Sequence, residues 1–256
     1  MRKSIVLAFL ALSCSICNSF LVGVDFNTFT SNELEQAIET FGEVDFTWAI
    51  TENSPGVSDA RWKDSFLALN DQFVFSEDNP NSNYECRKVR SYAGTLTAAF
   101  AYHETGGTPA TMLNWDEITQ YYNKCASGII ILTRAYWPNS EWRNKIEAVL
   151  KHPYLYGVAI EFNPNDWGKR YEHEFVNDVT SHGKAAFLLW PTKEVANYPS
   201  ENQWRDAMQY LKNNGANLQS PLTHFVVSRY DLPHLPVSGN SNSVHSALNA
   251  ARYFRA

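Results

Sequence analysis

Apolar and polar positions fall into two kinds of block along this chain. Short blocks run apolar with few polar breaks and are rich in β-branched and aromatic residues. They are "FLVGVDFN", "VDFTWAITEN", "TLTAAFAYHE", "GIIILTRAYW", "LYGVAIEFN", "KAAFLLWPT" and "HFVVSRYD". Such runs predict strands buried on both faces. Between them lie longer blocks whose apolar residues recur three or four apart, the helical period. "SNELEQAIETFG" carries Leu34, Ile38 and Phe41 on one face, with Ser31 able to cap it. "SDARWKDSFLALNDQ" aligns Trp62, Phe66 and Leu69, and "NWDEITQYYNKCAS" follows the next strand. "SEWRNKIEAVLKH" aligns Trp142, Ile146 and Val149, and "RYEHEFVNDVTSHG" stops at Gly183. "ENQWRDAMQYLKNNG" aligns Trp204, Met208 and Leu211, and "SNSVHSALNAARYF" is the last helix. Residues 73–94 break the rhythm. There "QFVFS" reads as a short strand and "EDNPNSNYECRK" as an ordered loop.

Seven strands plus "QFVFS" make eight strand–helix units. Strands buried on both faces and separated by helices predict a parallel sheet covered by helices on either side. The fold class is therefore α/β, and a single (β/α)8 TIM-like barrel fits best, irregular or incomplete around residues 73–94. The alternative, a doubly wound open sheet, lacks a glycine-rich phosphate turn after the first strand. No linker divides the chain of 256 residues, a normal size for one barrel domain.

The N-terminus changes this picture. "MRKSIVLAFLALSCSICNSF" has a basic start at Arg2 and Lys3, then an apolar run from Ile5 to Leu12 too short to span a bilayer. Small residues follow, and Ser19 suits the last position before cleavage. The expectation is a secretory signal peptide over 1–19 and a secreted barrel domain over 20–256. Cys14 and Cys17 then leave with the leader, so their spacing is neither a redox nor a zinc motif. Cys86 and Cys125 remain, either bonded in an oxidising compartment or as separate thiols. A bond between them would close a loop of about 39 residues and contribute roughly 3–4 kcal/mol. The net charge of −6 argues against a nucleic-acid partner, which needs a basic face.

Candidate chemistry comes from the strand ends, because a barrel of this kind builds its active site there. The first strand ends in Asp25 and Asn27, the second in Thr51, Glu52 and Asn53. The "AAFAYHE" strand ends in Tyr102, His103 and Glu104. Then come Arg134, Tyr136 and Trp137, followed by Glu161, Phe162 and Asn163. The last two strands give Trp190, then Arg229, Tyr230 and Asp231. Carboxylates with aromatic residues between them suit acetal hydrolysis. One acid protonates the leaving oxygen and a second supports the oxocarbenium-like carbon or activates water. Asp25 and Glu161 are the first pair, with Glu104 competing for either role. Trp137 and Trp190 suit rim packing as well as a sugar platform. No serine lies in a G-x-S-x-G elbow, and "EHE" at 172–174 lacks the H-E-x-x-H zinc spacing.

"LVGVDFN", then "VDFTWAITENSPGVSDARWKDSFLAL", then "TAAFAYHE" resembles the opening of family 25 glycoside hydrolases, the Chalaropsis-type lysozymes. "LYGVAIEFNPND" looks like that family's next landmark, an apolar strand ending in Asp-x-Glu. The resemblance implies that Asp25 and Glu161 carry over, with Glu161 as proton donor, and that Tyr102 and His103 line the sugar site. The order of landmarks agrees over about the first two thirds of the chain. There are departures. Ala159 replaces the Asp of Asp-x-Glu, Asn53 stands for a glycine, and Glu104 follows His103 where the family has Phe. An additional strand, "GIIILTRAYW", also intervenes.

The sequence thus predicts a secreted glycosidase with a polysaccharide or aminosugar polymer as substrate, peptidoglycan among the options. Asn163, Trp137, Trp190, Tyr230 and Asp231 join Tyr102 and His103 as expected substrate-binding residues. No cofactor and no metal are expected, no membrane span follows the leader, and a monomer is expected. One rival is a barrel that has lost catalysis and binds carbohydrate. The other is a phosphate- or lipid-ester hydrolase, whose metal or paired histidines the strand ends do not supply.

Overall fold

Parallel strands buried on both faces have no free edge to spare, and eight of them close on themselves here. In this computed structural model they are β1 (Leu21–Asp25), β2 (Phe46–Ile50), β3 (Gln72–Glu77) and β4 (Ala98–Thr105). The remaining four are β5 (Gly128–Thr133), β6 (Leu155–Glu161), β7 (Ala185–Pro191) and β8 (Thr223–Ser228). Each pairs in parallel with the next, and β8 pairs with β1, giving a closed barrel. The structure describes residues 19–25, 45–50, 72–77, 98–105, 128–133, 147, 149–161, 171–191, 200–228 and 238–255. For 24–25, 47–50, 72–77, 98–105, 129, 132–133, 161, 190–191, 228 and 238–244 it describes the backbone alone.

The barrel is neither open nor incomplete. "QFVFS" is β3, extended by Glu77, and it bridges β2 and β4. One irregularity remains, in the β5–β6 pair. Pairing passes from Ile129 with Leu155 to Ile130 with Gly157, so Tyr156 is an extra residue on β6.

Three helices are described from end to end of their backbone: α1 (Glu172–Ser181), α2 (Glu201–Asn213) and α3 (Ser238–Arg255). The first two end alike. Gly183 (φ 69°) and Gly215 (φ 80°) take left-handed backbone after the last turn. Lys184 N–H then reaches back to the Val179 carbonyl, and Ala216 N–H to that of Leu211, at 3.2 and 2.9 Å. Both ends are Schellman motifs, which glycine enters without steric cost. The face predicted from helical spacing is the buried one. Trp204, Met208 and Leu211, the face expected on α2, are fully buried, and α1 buries Phe175, Val176 and Val179 in the same way.

Ring contacts show which strand positions face the barrel interior. Phe46 on β2 meets Phe187 on β7 with ring centroids 6.3 Å apart. Those strands are not neighbours, so the rings meet across the inside. His224 of β8 stacks on Phe187 at 4.5 Å and meets Phe46 edge-on at 5.2 Å. A side chain on Gly23 would fall within the Phe46 ring, so Gly23 belongs to the same inward set. Phe225, next to His224, instead packs on Trp204 of α2 at 6.3 Å. Strand alternation thus divides an inward set from a set facing the helices.

The foot of the barrel is tied across the chain. Arg255, at the end of α3, pairs with Asp45 and donates to the Phe20 carbonyl at 2.8 Å. Its guanidinium lies 5.1 Å over the Phe20 ring. The Asp45 carboxylate also accepts from Val22 N–H at 2.6 Å. Among the described residues, no helix is long and apolar enough to cross a membrane.

Candidate active site at the barrel mouth

Strand register extends the alternation class of Gly23, Phe46 and Phe187 from the floor to the strand ends. On β1, alternation from Gly23 leads to Asp25, the last residue of the strand. Gly23 pairs with Phe46 and Asp25 with Trp48, and Trp48 pairs in turn with Phe73 of β3. Alternation then passes through Phe75 to Glu77. Glu77 pairs with Tyr102 on β4, and Glu104 is two positions further on. On β6, Ala159 pairs with Phe187, so Ala159 and Glu161 share the set. Asp25, Glu77, Glu104 and Glu161 are therefore acidic positions of one alternation class, each at or next to the C-terminal end of its strand.

Tyr102 belongs to this class too. His103 and Trp190 do not. His103 is in register with Ile131 and Trp190 with Val227, positions of the other alternation class. Of the other residues expected at the site, Trp137, Asn163, Tyr230 and Asp231 lie outside the described residues, as do Glu52, Arg134 and Arg229. So do Cys86 and Cys125.

Glu77 is absent from the acids picked out by sequence because the run "QFVFS" stops one residue short of it, whereas β3 continues to Glu77. The signal was present. Phe73 and Phe75 alternate, and the next position with their parity is Glu77. Ala159, where the lysozyme-like motif has Asp, is fully buried. Glu104 and Ala159 lie on one row of paired positions, joined through Leu132. They are two strands apart, about 10 Å along the sheet.

Among the described residues, the buried titratable side chains with perturbed ionisation lie at the opposite end. Burial pushes His224 down to about 4, against a weaker opposing hydrogen bond from its Nδ1–H to the Leu222 carbonyl at 3.0 Å. Lys184, at the start of β7, is lowered by burial. Its ammonium donates to the carbonyls of His152 and Leu155 at 3.1 and 2.6 Å. His152 is lowered by burial and then by the charge of Lys184. These groups hold the N-terminal ends of the strands together. Among the described residues, no group of three or more His, Cys, Asp or Glu side chains could hold a metal ion.

No family model matches the sequence, and no curated protein matches it. Solved structures do. An endo-beta-1,4-mannanase double mutant from Cellulomonas fimi aligns with a TM-score of 0.59 at 10% identity, over 98% of this chain and 74% of the mannanase. A protein assigned as an aldo-keto reductase, from Pseudomonas aeruginosa, aligns with a TM-score of 0.55 at 9% identity, over 90% of each chain. Orotidine 5'-phosphate decarboxylase from Pyrococcus horikoshii OT3 aligns with a TM-score of 0.53 at 12% identity, over 91% of this chain and 99% of the decarboxylase. A hydrolase, a reductase and a decarboxylase share little beyond architecture, and such identities speak for fold alone. The chain is a TIM barrel.

Proposed function

We propose that this protein is a secreted glycoside hydrolase acting on a polysaccharide or aminosugar polymer, with peptidoglycan one option. Glu161 is the general acid, and Asp25 is its charge partner. Glu104 is the alternative partner. The observation that carries the reading is the shared register class of Asp25, Glu104 and Glu161 at the strand ends where TIM barrels build active sites. Two carboxyl groups across a mouth are what glycosidic cleavage requires. The family 25 resemblance adds support through "LVGVDFN", "AYHE" and "AIEFNPND". The leader pattern of Arg2, Lys3 and the run Ile5–Leu12 supports secretion, with a mature barrel over 20–256.

The test compares wild type with Glu161→Gln on a panel of cell walls and purified glycans. Losing the acid should lower turnover by about 10²–10⁴-fold. Equal hydrolysis by both proteins removes Glu161 from the mechanism. Asp25→Asn and Glu104→Gln, measured in parallel, identify the partner by which one abolishes turnover.

Ala159 favours a second reading. A buried methyl stands where the resemblance calls for a carboxylate, which suits a barrel that binds glycan without cleaving it. Saturable glycan binding, with no bond cleavage at any pH, would select this reading.

A further inference from the structure

Tyr171 stands at the N-cap of α1 with φ 53° and ψ 35°, the left-handed region. It is the only non-glycine residue with positive φ among the described residues. A β-carbon there crowds the following carbonyl, and for a bulky residue the conformation is a real outlier. The backbone gains nothing from a tyrosine at this place. No side-chain hydrogen bond caps the helix, and the first helical bond, Phe175 N–H to the Tyr171 carbonyl at 3.0 Å, needs only the main chain. Glycine or asparagine would take the same backbone at lower cost.

Tyr171 is also exposed, at 39%. The other large exposed aromatic among the described residues, Tyr253, has the Arg205 guanidinium 4.7 Å from its ring centroid. Among the described residues, no aromatic or cationic partner of that kind lies against Tyr171. Its position in the fold gives the ring a use. In a parallel barrel each helix runs back against the strand before it, so a helix begins at the face where the strands end. Tyr171 therefore begins α1 at the face where β6 ends in Glu161. α1 belongs to the helix layer outside the strand wall, which puts Tyr171 on the outer rim rather than over the opening.

We propose that Tyr171 is a sugar-stacking platform that holds a polysaccharide chain at a subsite away from the bond being cleaved. This rests on the glycoside-hydrolase reading. Aromatic faces stack on the apolar faces of sugar rings, and a site on the outer rim serves a long chain and not a short fragment. Backbone strain persists where a function retains it.

The experiment uses the full chain with Tyr171→Phe and Tyr171→Gly. The readouts are the unfolding midpoint and the KM and kcat for solubilised peptidoglycan and for short oligosaccharide fragments of it. Tyr171→Gly should unfold at the wild-type midpoint or above. Its KM for polymer should rise about tenfold with kcat retained, and its KM for fragments should hold. Tyr171→Phe should keep polymer KM within about twofold, since stacking needs the ring. An active wild type whose polymer KM is unmoved by Tyr171→Gly overturns the platform and leaves the glycosidase reading standing. A rise of equal size in polymer and fragment KM also overturns it. A wild type that neither binds nor cleaves any glycan overturns both.

Discussion

Gly23 and Gly157 show how closely single residues are fitted inside this barrel. A methyl on Gly23 would enter the Phe46 ring, and one on Gly157 would strike the Ala185 carbonyl of the neighbouring strand. His224 fits the same floor only as a neutral ring between Phe46 and Phe187. Its folded pKa of about 4 lies below its ordinary 6.5, so between those values the unfolded chain binds a proton that the folded chain refuses. The stability contributed by neutral His224 is full above about pH 6.5 and is lost as pH falls to about 4, by roughly 3 kcal/mol in all. Urea unfolding of wild type and His224→Phe across this range checks it. The difference between the two stability curves should fall with acid, and a flat difference would contradict it.

The elements follow local rules that sequence displays openly. α2 opens with a capping box. Ser200 Oγ accepts from Gln203 N–H at 3.3 Å, and the Gln203 side chain accepts from Ser200 N–H at 2.9 Å. Ser200→Ala should lower stability by about 1 kcal/mol, read as a shift in denaturant midpoint at constant slope. Helix ends at Gly183 and Gly215 were legible because only glycine takes that backbone freely. Other boundaries were not. α3 begins at Ser238, three residues ahead of the pattern in "SNSVHSALNAARYF". Ser238, Gly239 and Asn240 have poor helix propensity and read as loop, and tertiary context overrode it. β3 was doubtful in sequence because its apolar run is short. Pairing with β2 and β4 makes it a strand.

At the scale of the whole molecule, closure depends on contacts between distant parts of the chain. Arg255 holds Phe20 across 235 positions of sequence and pairs with Asp45 at the foot of β2. Both charged side chains are about one-fifth exposed, so water screens part of the pair. Arg255→Ala should lower stability by roughly 1–2 kcal/mol, mostly through the hydrogen bonds lost to Phe20 and Asp45. Equilibrium unfolding measures this, and Asp45→Asn should cost less because its side-chain oxygen can still accept from Val22 N–H.

The eight-stranded barrel was readable from the chain because burial on both faces makes each strand continuously apolar, and helical spacing sets the strands apart. That information is local. So was the presence of acids at strand ends, which is how Asp25, Glu104 and Glu161 stood out. Which of those positions share one register class was not local. The face a strand residue takes depends on register with its neighbours, and a single extra residue such as Tyr156 shifts one strand against the next. Only the paired, closed sheet sets Tyr102 in one class and His103 in the other, and adds Glu77 to the acids of the mouth. Only folding turns Tyr171 into an exposed ring on strained backbone, since neither exposure nor φ is written in residue identity.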